Sequence, residues 1–374
     1  MTRRAAALGA ALAGVLTVAL AAVPTTAMAN GEHGVPAEQQ ELQRELDAVV
    51  TAGATSATAD ITSGGRHLRM SSGTARAGTD RPVPPDARFR VGSESKTFLA
   101  TVVLQLVAEH RLGLDDTVES RLPGVVPQGD RITVRQLLNH SSGLFEVLAT
   151  LPSPRSEEFL QLRWRTWTTA ELVARAMAKP LLFEPGAKAE YSNTNYLVLG
   201  MLVERLTGNA YAEEIEGRII RPLRLHGTSL PGTDPVIHGP HARGYLAIER
   251  DGEQQLVDVT EINPSIMNAG GDIISTARSL NRFFEALFGG RLLPDHLLRE
   301  MRTPVLDSEY GLGIIRRSLP CGGTAWGKDG DAPGYSSSTF VSPGGDRQLT
   351  VSVTWGPGDP GDAVDALLDA ELCR

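Results

Sequence analysis

The sequence predicts an α+β fold in which the two chain ends build one antiparallel sheet and a long, mostly helical region is inserted between them. Three observations lead there. Strand-like stretches cluster near residues 54–74 and return after Ile314, whereas residues 114–304 read as helical segments broken by Pro/Gly loops. Strand-rich ends around a helical middle imply that the termini share a sheet. An apolar run from Thr101 to Ala108, too uniform for a surface element, reads as a buried helix beside that sheet.

Residues 1–29 open with Arg3 and Arg4, continue as an Ala/Leu/Val segment and close on Ala27-Met28-Ala29, the pattern of a secretory signal cut near Ala29. The expected location is therefore extracellular. Cleavage leaves 345 of the 374 residues as one domain over 30–374, with a sheet part at about 37–113 and 305–374 and the helical insertion at about 114–304. Residues 37–52 carry Leu42, Leu46, Val49 and Val50 at helical spacing. A hairpin follows, Ala54 to Ile61 and His67 to Thr74, joined by Ser63-Gly64-Gly65-Arg66. The Pro-rich link Arg81 to Asp86 delivers the chain to the buried helix, whose first turn is expected to carry Ser93 and Lys96. Helices are predicted at Thr133 to Leu138, Thr169 to Ala178, Asn195 to Thr207, Ala212 to Ile220 and Ala277 to Phe288. Strands then return at Thr324 to Gly327, Ser337 to Val341 and Leu349 to Trp355, before a last helix from Asp362 to Leu372. No later stretch is apolar for long enough to span a membrane.

Composition narrows the function. The formal charge is −8, or −10 once Arg3 and Arg4 leave, and no basic patch occurs, which argues against nucleic acid as partner. Of 36 basic residues only Lys96, Lys179, Lys188 and Lys328 are lysine, so few amines are available for proton chemistry. Cys321 and Cys373 suggest one disulfide stapling the last helix to a strand, with a buried thiol pair as the alternative. His238 and His241 flank Gly239-Pro240, which forbids a helical metal pair, so no metal and no cofactor is expected. A Gly-Xaa-Ser-Xaa-Gly elbow and a phosphate-binding loop are both missing.

Three polar clusters remain. Ser93 and Lys96, three residues apart, bring a hydroxyl and an amine together; the amine can act as a base only where burial or a nearby cation lowers its pKa from about 10.4. Tyr191 and Asn193, in Glu190-Tyr191-Ser192-Asn193-Thr194-Asn195, offer a proton-relaying phenol and an amide-binding amide, or alternatively a helix N-cap. Lys328 in Gly327-Lys328-Asp329-Gly330-Asp331 offers a fixed cation beside glycines that let backbone approach a ligand, or alternatively a solvated turn.

In that order the clusters resemble the serine penicillin-recognising family of DD-peptidases, class C β-lactamases and related esterases, whose pattern is Ser-Xaa-Xaa-Lys, Tyr-Xaa-Asn and Lys/His-Thr-Gly. Leu137-Leu138-Asn139-His140-Ser141-Ser142-Gly143-Leu144, Pro185-Gly186, Leu199-Gly200 and Ala269-Gly270-Gly271 with Ser275-Thr276 extend the resemblance over nearly the whole mature chain. Secreted actinobacterial D-alanyl-D-alanine carboxypeptidases are the most similar group. The resemblance implies a β-lactamase/transpeptidase-like fold, with Ser93 as acylated nucleophile, Lys96 taking its proton and Tyr191 protonating the leaving group. It further implies that Asn193 holds the substrate amide, that Lys328 stabilises the Tyr191 phenolate and binds anionic substrate, and that the Ser93 and Asp331 N–H groups, beside Gly330, form an oxyanion hole. The expected protein is a monomeric serine hydrolase of the D-alanyl-D-alanine carboxypeptidase kind, acting on peptidoglycan peptides and acylated by β-lactams. Asp329 and Asp331 depart from the pattern, and Ile315 stands where such carboxypeptidases place an arginine for the substrate carboxylate, with Arg316 and Arg317 just after it. These departures open the alternative of an esterase or D-amino-acid amidase/D-aminopeptidase with the same site. A catalytically inactive penicillin-binding or sensor domain is the alternative from another class. The class A deacylation pattern Glu-Xaa-Xaa-Leu-Asn is missing, which weakens a β-lactamase reading.

Overall fold

Helix α1 (Ala37–Thr51) presents Leu42, Leu46 and Val49 along one stripe, and all three are buried. The chain then turns into the hairpin β1 (Ser56–Ser63) and β2 (Arg66–Gly73), where Ser63 pairs with Arg66 and both turn residues, Gly64 and Gly65, have positive φ. A two-residue turn of that kind demands glycine because its twist matches the strands. The computed structural model describes residues 36–250 and 252–374, so the expected signal at 1–29 lies outside the described residues.

The sheet has six antiparallel strands in the order β2-β1-β10-β9-β8-β7, with β7 at Ile315–Ser318, β8 at Thr324–Ala332, β9 at Tyr335–Val341 and β10 at Arg347–Thr354. Ser56 in β1 pairs with Thr354 in β10, so the two chain ends do form one sheet. One face packs on α1 and the final helix (Gly361–Leu372) through Leu46, Ile61, Val351, Leu367 and Leu368. The other face receives the Ala277–Phe288 helix, which delivers Asn281 to Gln348 and Thr350. Beyond it lies the larger core, centred on α2 (Ser95–Ala108), whose side chains from Ser95 to Leu104 are all buried, and on the Asn193–Thr207 helix.

Several elements differ from the sequence reading. The insertion is not purely helical. It contains the hairpin β4 (Tyr245–Arg250) with β5 (Glu253–Asp258), and Phe89–Arg90 (β3) pairs with Ile274–Ser275 (β6). Strand β5 is exposed along most of its length, so it lacks the apolar alternation that announces a strand. Strand β8 runs five residues past Gly327, through the whole Lys328 cluster, because its glycines serve close approach to neighbouring backbone and make no turn. The helix expected over Ala212–Ile220 changes to a π-helical segment at Glu216–Ile220.

Cys321, in the β7–β8 connection, and Cys373, at the end of the last helix, form a disulfide. Closing a loop of 52 residues removes unfolded-state entropy worth up to about 4 kcal/mol. Cys321→Ser is accordingly expected to lower the urea midpoint and to steepen the slope, since the unlinked unfolded chain exposes more surface; an unchanged midpoint in non-reducing buffer refutes this. Among the described residues no helix is long and apolar enough to cross a membrane.

Candidate active site

Gly92 opens the site. Its φ is 51°, and a Cβ there would lie 2.2 Å from the Asp331 carbonyl oxygen, so only glycine allows this turn to sit against β8. Gly92–Glu94 forms a 3-10 turn that precedes α2, which places Ser93 two residues before the α-helix rather than within its first turn. Lys96, on α2 itself, is fully buried.

Lys96 Nζ lies 3.1 Å from Ser93 Oγ, 2.7 Å from Asn193 Oδ1 and 2.5 Å from the Gly270 carbonyl. Burial, reinforced by the Lys328 charge, pushes this amine well below the ordinary lysine range, although Glu146 and Asp329 oppose the shift. In its neutral form the amine would give its two N–H groups to the Asn193 and Gly270 oxygens, which can only accept, and turn its lone pair to the Ser93 hydroxyl. Tyr191 Oη is 2.5 Å from Ser93 Oγ on its other side. Burial holds this phenol well above its usual range despite the Ser93 hydrogen bond, so it stays protonated and donates to Ser93. The amine, the hydroxyl and the phenol are thus lined up around one oxygen.

The Lys328 ammonium lies over the Tyr191 ring, 5.9 Å from its centre, and forms an ion pair with Asp329 of the same strand. Burial alone would raise the Asp329 carboxyl, yet the Lys328 charge holds it below the usual carboxylate range. Gly330 packs against the nucleophile turn: a Cβ there would meet Val91 O at 2.0 Å and Ser93 N at 2.9 Å. Asp331 turns its carboxylate towards Ser336, whose hydroxyl donates to it at 2.5 Å and accepts from Trp355 Nε1 at 2.6 Å. Ile315 is half-buried against the apolar core of the outer sheet face. Arg316 pairs with Glu309 and Arg317 with Asp365 and Asp369, so neither serves the site.

Sequence reasoning missed four contributors. Glu146 accepts from the Asn193 backbone N–H at 2.5 Å and from Asn193 Nδ2 at 3.0 Å, which orients that amide so that Oδ1 faces Lys96. The Gly270 carbonyl holds Lys96, and no side-chain pattern announces a carbonyl. His140 lies 4.4 Å, centre to centre, from the Tyr191 ring and 5.1 Å from Tyr310. Burial, reinforced by the Lys328 charge, pushes His140 well below the ordinary histidine range, and its Nδ1 accepts from Ser192 N–H. His140 stands within the Leu137–Leu144 stretch, the one signal that could have found it. Asp331, Trp355, Leu148, Phe159, Ile266 and Met267 border an apolar cavity of about 200 Å³ at the end of β8. His238 pairs with Asp234, and among the described residues no cluster of His, Cys, Asp or Glu could hold a metal ion.

The Beta-lactamase family profile matches residues 42–374. A D-stereospecific amidohydrolase from Streptomyces sp. is 38% identical with a TM-score of 0.81, over 90% of this chain and 98% of that one. D-amino acid amidase from Ochrobactrum anthropi SV3 is 28% identical with a TM-score of 0.78, over 89% and 98%. Penicillin-binding protein 4* of Bacillus subtilis is 28% identical over 282 residues, 71% of this chain and 60% of that protein. Penicillin-binding protein 4 of Amycolatopsis lactamdurans is 28% identical over 230 residues, 60% of this chain and 57% of that protein. The chain spans less than two thirds of the length of these penicillin-binding relatives.

Proposed function

We propose that this chain, which belongs to the Beta-lactamase family and is a serine hydrolase of that fold, works through an acyl-enzyme on Ser93 as a D-stereospecific amidohydrolase of substrates with a free ammonium beside the scissile carbonyl. Lys96 takes the Ser93 proton as the oxygen attacks. The N–H groups of Ser93 and Asp331 receive the oxyanion, and Tyr191 protonates the departing nitrogen. Water then repeats the steps in reverse to release the acid. Asn193, held by Glu146, positions the substrate.

One observation carries the choice of substrate: Asp329 already neutralises Lys328, the cation expected to hold a terminal carboxylate. With Lys96 neutral, the pocket opposes one ammonium to the carboxylates of Asp329, Asp331 and Glu146, a field that attracts a cation and repels an anion. The apolar cavity beside Asp331 suits a large D side chain, and the solved Ochrobactrum amidase complexes include one with D-phenylalanine. The direct test compares D-phenylalanine amide with its N-acetyl derivative, its L-enantiomer and an N-acyl-D-alanyl-D-alanine peptide. The free D-amide is expected to exceed each in kcat/KM by at least about tenfold, equivalent to 1.4 kcal/mol. Preference for the N-acyl dipeptide overturns this reading.

The penicillin-binding relatives favour a second reading, the D-alanyl-D-alanine carboxypeptidase acylated by β-lactams, exported by residues 1–29 to act on peptidoglycan peptides. Its mark is a stable penicillin adduct on Ser93 together with release of D-alanine. The mass of that adduct on protein from culture medium also reports whether residues 1–29 have been removed.

A further inference from the structure

Glu94 directly follows the nucleophile, is completely buried and has no part in the chemistry described above. Its side chain passes beneath β8 and β9. Ser337 of β9 donates to Oε1 at 2.6 Å, while Oε2 has no hydrogen-bond partner among the described residues. Thr339 lies beside the same carboxyl. The strands over it are themselves tied down, since Thr339 and Thr350 share a hydrogen bond of 2.9 Å and Thr350 donates to Asn281 at 2.7 Å. On the opposite side of the turn Gly330 packs against Ser93 N and Glu94 N. The turn that sets the Ser93 hydroxyl and N–H is therefore gripped between the Gly330 backbone and the Glu94 carboxyl.

A buried carboxylate with one bare oxygen costs far more than the neutral acid in the same place. We propose that Glu94 is a positioning residue for Ser93: as an uncharged acid it pins the Gly92–Glu94 turn to β8 and β9, and losing its proton loosens the turn and shuts the site down at alkaline pH. Burial raises this carboxyl to about 8 against the lowering effects of Ser337, Thr339 and Lys328. The charged groups that face it are Lys328, which favours ionisation, and Asp329, which opposes it, both on β8; β9 supplies the Ser337 and Thr339 hydroxyls. Because the folded carboxyl titrates above its unfolded value of 4.5, the native state holds the extra proton. Stability is then full below that value and declines as pH rises through about 8.

The inference rests on Ser93 as nucleophile, whichever substrate is natural. The test follows Tm and the acylation rate with p-nitrophenyl acetate from pH 5 to 10 for the full chain, Glu94→Gln and Ser337→Ala. In the wild type, acylation is expected to fall above pH 8, approaching tenfold per pH unit for one lost proton. Glu94→Gln is expected to cost less than tenfold at pH 7, to move the alkaline limb up by at least one unit and to gain more in Tm over the wild type at pH 9.5 than at pH 6. Ser337→Ala, which removes a hydrogen bond favouring the anion, shifts the limb in the same direction by less. Parallel pH curves for wild type and Glu94→Gln overturn the proposal, as does a folded Glu94→Gln slowed more than about a hundredfold at pH 7. Should Ser93 fail to acylate at any pH, the nucleophile reading falls, and the melting curves alone decide whether Glu94 is a neutral pin.

Discussion

Lys96→Met is expected to lower kcat/KM by about 10³- to 10⁵-fold, the range for loss of a base that works as a unit with its nucleophile. Methionine fills nearly the same volume in a fully buried site, so the loss reports the amine and not a cavity. What disappears is the lone pair facing Ser93 and the two N–H bonds that hold Asn193 and Gly270 in place. The pH profile separates these effects. Burial places the wild-type amine far below the ordinary lysine range, so kcat/KM should rise with pH along an acid limb in that lower region. Residual activity of the variant should lack that limb. The stability sign is opposite. A lysine whose folded pKa is depressed binds more protons unfolded than folded, so wild-type stability rises with pH over the region between the two values. Lys96→Met removes that slope and is expected to raise Tm at pH 6, a gain in stability bought with function. A variant whose stability keeps the wild-type pH slope contradicts the neutral-amine arrangement.

Tyr191→Phe is expected to cost about 10²- to 10⁴-fold on amides, the usual contribution of a positioned general acid. The ring of the variant still packs on His140 and Tyr310, and only the phenolic oxygen 2.5 Å from Ser93 is lost. Leaving-group dependence makes this decisive. An amide nitrogen must be protonated to depart, whereas p-nitrophenolate leaves unaided. The variant should therefore lose far more against D-phenylalanine p-nitroanilide than against p-nitrophenyl acetate in single-turnover acylation. Equal losses on both would mean that Tyr191 orients Ser93 and does not act on the leaving group.

The sheet and the Ser93, Lys96 and Tyr191 cluster were legible in the sequence for different reasons. Helix α1, the β1–β2 hairpin and the last helix carry clean periodicity and a Gly-Gly turn, so local rules suffice. Ser93, Lys96, Tyr191 and Asn193 stand at spacings tied to chemistry, and the fold links all four in one chain of hydrogen bonds. What escaped was partnership across distance. Asp329 reads in sequence as a departure from a motif, and only its ion pair with Lys328 explains what that departure does to the pocket. Glu146 sits 47 residues before Asn193, and nothing local marks it as that residue's anchor. Strand β8 was cut short at Gly327 because glycine signals a turn by itself; Gly330 lies in a strand where any side chain would strike the nucleophile turn. The hairpin β4–β5 escaped because its exposed polar strand lacks an apolar stripe.

The order of strands also fixes when this molecule can come into being. The β1–β2 hairpin is made early in synthesis, yet its partner β10 lies nearly three hundred residues downstream, with Ser56 paired to Thr354. Until the final strands leave the ribosome, β1 has an unsatisfied edge and α1 an uncovered apolar stripe. The loop that must close is among the most expensive in entropy, which makes sheet completion a late and slow event. Lys328 arrives on that same late segment. A nascent chain therefore holds Ser93 and Lys96 long before it holds the strand that packs against their turn.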